Sequence, residues 1–273
     1  MSFFLRPILQ KLFSVREKKD TEMVKPFLDH LEDLRWMLVK MAGTLGLFMV
    51  GSFFFRFNLM HAVMLPLHAI NDPSALTLRN LHPADSVNTS ISLAFYAGIV
   101  LSLPFHLYFL AGFVLPALSQ KEKSYLFPAI AFSTALFLMG AYFCFGFVLP
   151  STLKWLWYDA KHMGFDPTWT VSDYVSFATQ FVLIFGLSFE LPVLVFLLVQ
   201  IGLLNVATLR KTRLYAYAGI FVLAAFVAPS PDPMTMMVVA GPMIVLYEGS
   251  ILLARWLDHR QQRNLMRPTR DEP

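Results

Sequence analysis

The sequence predicts an all-α, polytopic integral membrane protein with six transmembrane helices and both termini in the cytoplasm. Three observations carry this. Of 273 residues, 56% are hydrophobic and only 15% are charged, against roughly 45–50% and about 25% in an ordinary soluble domain. The charges are bunched, which leaves six long apolar runs of the kind that cross a bilayer. Lys and Arg also alternate in density from loop to loop, and that alternation sets orientation.

The chain opens on a segment, residues 1–25, in which Phe4, Leu5, Ile8, Leu9, Leu12 and Phe13 fall at helical spacing among Arg6, Gln10 and Lys11. It reads either as a short amphipathic helix on the membrane surface or as a disordered tail. It lacks the small-residue cleavage site of a removable signal peptide. A membrane domain spans residues 26–256, and a cytoplasmic tail follows at 257–273.

From Pro26 to Arg35, leucines recur at helical spacing beside Asp29, Glu32 and Asp33. This reads as a juxtamembrane helix with an acidic side, with Pro26 in its first turn. It enters run one, residues 36–55, broken only by Lys40, which can snorkel. Runs two to four cover residues 91–118, 125–149 and 174–204. Run five, residues 214–228, has about 15 residues, or ~22 Å of helix, against a hydrocarbon core of roughly 30 Å. That shortfall predicts local membrane thinning around it and run six, residues 234–254.

Eighteen of the 22 basic residues lie within residues 1–40, in the run two–three and run four–five loops, or after run six. The other side has only Arg56, Arg79, Lys154 and Lys161. The segments on that sparse side, residues 57–90 and 150–173, hold Pro66, Pro73, Pro83 and Pro167 with Trp155, Trp157 and Trp169. They are expected to pack as caps over the helix ends.

The net charge of +4 and pI near 9.2 serve orientation. No basic stripe interleaved with aromatics exists to bind nucleic acid. Cys144 is the only cysteine, so neither an intrachain disulfide nor a cysteine metal site is possible. It reads as a small packing residue. Nucleophile–base pairs, paired aspartates and His-rich metal spacings are missing, which argues against an enzyme.

Ionisable groups inside spans cost ~2.5–3.5 kcal/mol at a helix centre and need a reason. Glu190 lies deep in run four, in Gly186-Leu-Ser-Phe-Glu-Leu-Pro192, where Pro192 breaks the hydrogen-bond ladder. It reads as a polar contact point, or as a glutamate bonded to a neighbouring helix. Glu248, in run six, reads as an interface glutamate with Arg255 as its nearby cation. Asp232, in Pro229-Ser-Pro-Asp-Pro233, caps run six or binds. Glu122 lies in a short cytoplasmic loop. With the acids of residues 29–33 it makes the one notable anionic cluster on a basic face, where a cationic peptide would dock.

In order and spacing, these residues resemble the TatC family, the core subunit of the twin-arginine protein translocase. The residues that carry the resemblance are His30-Leu-Glu-Asp-Leu-Arg35, Leu81-His-Pro-Ala-Asp85, Phe113 with Pro116-Ala-Leu118 and Glu122, Ser188-Phe-Glu-Leu-Pro192, Pro231-Asp232 and Tyr247-Glu248. Asp33 and Asp85 stand where glutamate is usual, and Met236 stands near a position that is often polar. The resemblance implies a concave, glove-like bundle in the bacterial cytoplasmic (inner) membrane, with no cofactor, energised by the proton-motive force. It implies recognition of twin-arginine signal peptides of folded cargo at Glu122 and Phe113, assisted by Asp33 and Arg35. It further implies contacts with single-span TatA- and TatB-like partners at Glu190, Asp232, Glu248, Pro66, Pro83 and Asp85. Copies of the chain would associate within a larger complex in the bilayer. A contrasting reading of the same residues is a proton-coupled small-solute transporter that uses Glu190, although no internal repeat is visible.

Overall fold

A computed structural model describes residues 31–114, 126–200, 206–227 and 233–265. The extension before Leu31, the acidic residue Asp29, the loop with Glu122, the turn with Asp232 and the end of the tail lie outside the described residues. The elements in chain order are α1 (Leu31–Phe54), α2 (Arg56–Met64), two 3-10 turns (Leu65–Ile70 and Pro73–Leu76) and α3 (Asp85–Val114). Next come α4 (Leu126–Phe143), a π-helical turn (Cys144–Val148), α5 (Leu149–His162), α6 (Val171–Phe189) and α7 (Leu191–Gln200). The last are α8 (Val206–Lys211), α9 (Arg213–Val227) and α10 (Pro233–Leu265).

Within the described residues each apolar run falls on a helix. Leu31–Phe54, Asp85–Phe113, Pro128–His162 and Val171–Val199 are long and apolar enough to cross a membrane, and Arg213–Phe226 and Met236–Leu252 are shorter apolar helices. In lipid every backbone polar group needs an internal partner, and continuous helix supplies it. Side chains such as Leu47, Phe54, Phe132, Tyr142, Leu214 and Phe226 are exposed, as expected where lipid is the solvent.

One boundary differs from the sequence reading. Run three was expected to stop at residue 149, but the helix continues to His162. Pro150 does not end it, because it occupies the first turn of α5 directly after the π turn. There a missing N–H costs little. The composite helix of 35 residues is about 52 Å long at 1.5 Å per residue, so one end projects well past the hydrocarbon core. Its α5 part is amphipathic, with Leu149, Thr152, Leu153 and Trp157 buried.

That projecting end anchors a cap, as the Trp- and Pro-rich segments suggest. Leu67, Ile70 and Ala75 of the 3-10 turns are buried in one core with Leu149, Leu153 and Trp157. Asn71 ends the first turn in the left-handed region, φ 56°, which asparagine tolerates. The Tyr158 hydroxyl donates to the Ile70 carbonyl at 3.0 Å and that of Tyr174 to the Val63 carbonyl at 2.6 Å. Two backbone bonds, Arg79 N–H to Trp169 O and Val171 N–H to Arg79 O, join the two cap segments. Trp157 and Trp169 meet edge to face at 5.2 Å.

Inside the bundle α4 and α6 approach through glycine. A Cβ on Gly186 would sit 2.6 Å from the buried Phe137 ring, and one on Gly140 would sit 2.5 Å from the Phe189 ring. Each helix seats its phenylalanine on the other's glycine. Such packing holds helices together in a solvent as apolar as their side chains.

Candidate functional site

Glu190 sits in the break between α6 and α7. Pro192 has no N–H to offer the Ser188 carbonyl, and the N–H of Glu190 closes a tightened turn on the Leu187 carbonyl at 3.1 Å. The ladder resumes from Leu194 N–H to Glu190 O at 2.9 Å. The half-buried carboxylate accepts the hydroxyl of Ser133, from α4, at Oε2, and Oε1 is buried with no hydrogen-bond partner among the described residues. Of the two readings of Glu190, the bond to a neighbouring helix is present, through Ser133. Sequence reasoning missed Ser133. The signal available was a Ser133-Thr134 pair in an otherwise apolar run.

Glu248 is held differently from expectation. Its Oε2 accepts from Arg213 Nη2 at 2.6 Å and its Oε1 from the Tyr217 hydroxyl at 2.5 Å. The cation is Arg213 at the start of α9, and Arg255 is not the partner. Two helical turns span roughly 11 Å, too far for a contact along α10, whereas the α9 end lies directly opposite. Tyr247 ties the same end to α8 through its hydroxyl and the Leu209 carbonyl, 3.0 Å apart.

Asp85 is buried at the first position of α3, where Oδ2 accepts the N–H groups of Leu81 (3.0 Å) and His82 (2.8 Å). The Leu81-to-Asp85 element is therefore a turn closed by its own carboxylate, at the helix end that favours a negative charge. Pro66 is buried in the first 3-10 turn, and Pro83 is exposed in the turn before α3. The cap holds one further acid the sequence did not single out. Asp72 accepts from Ser74, from Trp157 Nε1 at 3.1 Å and from Lys161. Those donors, Lys161 first, hold its carboxyl well below the usual carboxylate range.

Asp33 and Arg35 are exposed on the first turns of α1, and Phe113 is half-buried near the end of α3. Glu122 and Asp232 lie outside the described residues, and α10 begins at Pro233, directly after Asp232. Among the described residues no three His, Cys, Asp or Glu side chains come together as metal ligands would.

Comparison with known proteins bears on this arrangement directly. The family described as Sec-independent protein translocase protein (TatC) matches residues 29–242. The chain belongs to the TatC family. A Sec-independent protein translocase protein TatC of Akkermansia muciniphila is 42% identical over 180 residues, which is 66% of this chain and 51% of that protein. This chain thus matches about half the length of that relative. The TatC of Helicobacter pylori strain J99 is 34% identical over 87% of this chain and 90% of its own length. A solved crystal structure of the twin arginine translocase receptor TatC superposes with a TM-score of 0.76 at 29% identity, covering 83% of this chain and 98% of that one. This TatC chain is a multi-pass membrane component of the Sec-independent translocase, and that membership decides against the small-solute transporter.

Proposed function

We propose that this TatC chain is the subunit that receives twin-arginine signal peptides of folded cargo, on the cytoplasmic face of the bacterial membrane. The observation that supports this is the placement of the acidic start of α1, with exposed Asp33 and Arg35, and of Phe113 on α3 at one end of an antiparallel helix pair. The loop that follows α3 carries Glu122. A carboxylate there would take a guanidinium in a two-pronged fork that an ammonium cannot copy. In this reading all six apolar helices cross the bilayer with both termini inside, and the cap lies outside.

In the same reading Glu190 and the α9–α10 pair, including Asp232 and Glu248, face single-span TatA- and TatB-like partners. The free Oε1 of Glu190 supports that role, since a donor from a partner helix would complete it. The cap prolines Pro66 and Pro83 and the turn-closing Asp85 shape the outer side. No nucleotide-binding loop is present in the sequence, so the energy would come from elsewhere; the family resemblance implies the proton-motive force, and the chain would work in several copies within a larger complex.

The test is binding of a fluorescent twin-arginine peptide to the full chain in nanodiscs. Selective binding, lost with a twin-lysine peptide and in Glu122→Gln, is expected. Undiminished binding by a folded Glu122→Gln protein would remove Glu122 from the site.

A further inference from the structure

α1 is the least embedded of the long helices. Within its membrane-length window only 11% of residues are buried. Its attachment to α3 therefore rests on few contacts, and these are specific. His106 Nε2 lies 3.1 Å from the Met41 carbonyl oxygen, and the Thr44 hydroxyl donates to the same oxygen at 2.9 Å. Ser102 Oγ lies 3.5 Å from the other ring nitrogen of His106. Farther along, a Cβ on Gly98 would come within 3.0 Å of the Met49 backbone. The rings of Phe48 and Phe105 pack at 5.4 Å between the two points.

These contacts define a register. Met41 to Met49 is eight residues forward on α1, and His106 to Gly98 is eight residues back on α3. The helices thus run antiparallel without sliding, despite Pro104 inside α3. Carried seven residues the other way, about 10 Å, the same register sets Leu34 level with Phe113. Asp33 and Arg35 flank Leu34. The half-buried Leu34 and the buried Met37 continue the face of α1 that carries Met41.

We propose that His106 is a positioning residue for the signal-peptide site: its bond to the Met41 carbonyl pins α1 against α3 and holds the acidic start of α1 level with Phe113. This rests on the receptor reading above for its function, but on the α1–α3 geometry for its structure. The imidazole N–H aimed at the Met41 carbonyl is a half-buried polar tie between the two helices. Losing it leaves α1 held, among the described residues, by apolar contacts that lipid can replace.

The experiment uses the full chain in nanodiscs, with spin labels on Leu38→Cys and Leu110→Cys, both exposed, and the fully buried Cys144 left in place. His106→Leu removes the donor at similar volume, and His106→Gln restores an N–H donor. His106→Leu is expected to shift and broaden the α1–α3 distance distribution. It is also expected to weaken twin-arginine peptide binding by about fivefold, the effect of one hydrogen bond. His106→Gln is expected to restore both. An unchanged distance distribution in His106→Leu overturns the proposal whatever the peptide does, and so does failure of His106→Gln to rescue. If the unsubstituted chain binds no peptide, the receptor reading fails and the distances alone decide the pin.

Discussion

Ser133 on α4 donates its hydroxyl to Glu190 across the α4–α6 interface, and both lie where glycine–phenylalanine contacts fix the helices. The bond matters because the other carboxylate oxygen is buried with no partner among the described residues. Ser133→Ala would leave both oxygens unmatched, at a cost of about 1–3 kcal/mol. Thermal unfolding in detergent checks this. The cost should largely vanish in a Glu190→Ala background, because the two residues share one interaction. Additive effects of the two changes would break the link between them.

Gly186 and Gly140 are predicted to be intolerant of even a methyl group. Phe137 is fully buried and cannot retreat from a Cβ at 2.6 Å. Gly186→Ala should therefore destabilise by about 1–3 kcal/mol through overpacking. Gly249→Ala, with nothing within 4 Å of the added atom, should be neutral or stabilise by about 0.5–1 kcal/mol through helix propensity. Unfolding midpoints of the two variants, measured side by side, should move in opposite directions or differ clearly in size.

The particular residues explain why some of this was legible in the sequence and some was not. The apolar runs marked the helices because lipid demands long uncharged stretches, and Pro192 marked the break at Glu190 because it lacks an N–H. The extension of run three to His162 was hidden, since α5 carries Lys154, Asp159 and Lys161 and no longer looks apolar once it leaves the core. Hydropathy reports contact with lipid, not helicity. The partners of Glu190 and Glu248, Ser133 and Arg213, lie 57 and 35 residues away. Spacing along one helix cannot choose between such distant donors, and it favoured Arg255 wrongly. Asp85 was visible as an acid after a proline, but its bonding to two backbone N–H groups depends on the fold of the turn.

The Arg213–Glu248–Tyr217 cluster predicts a hierarchy of substitutions. Glu248→Ala removes two acceptors at once and leaves Arg213, whose Nε is already buried with no partner among the described residues, without the one counter-charge those residues give it. It should loosen the α9–α10 end by about 1 kcal/mol, in the range for partly exposed hydrogen-bonded ion pairs. Tyr217→Phe should cost less, and Arg255→Ala should be near neutral. Limited proteolysis near Arg210 and Lys211, both exposed, is a local readout. Arg255→Ala behaving like Glu248→Ala would overturn the assignment of Arg213 as the cation.

The cap should resist acid until its aspartate is protonated. The ordinary carboxyl value for Asp72 is 3.8, and Lys161, Ser74 and Trp157 lower it in the folded chain. A lowered value means that the folded state binds the proton more weakly than the unfolded one. The stabilisation is therefore complete above about pH 4 and is lost only as pH falls further, through the folded value. The Trp157 indole donates to Asp72 and touches Trp169, so tryptophan fluorescence reports the event. The cap signal is expected to stay flat from neutral pH to about pH 4 and to change below it. Asp72→Asn should remove that acid transition while disturbing the signal already at neutral pH. Lys161→Met should shift it to higher pH, since the largest cause of the lowered value is gone. A cap transition unaltered in Asp72→Asn would assign it to another group.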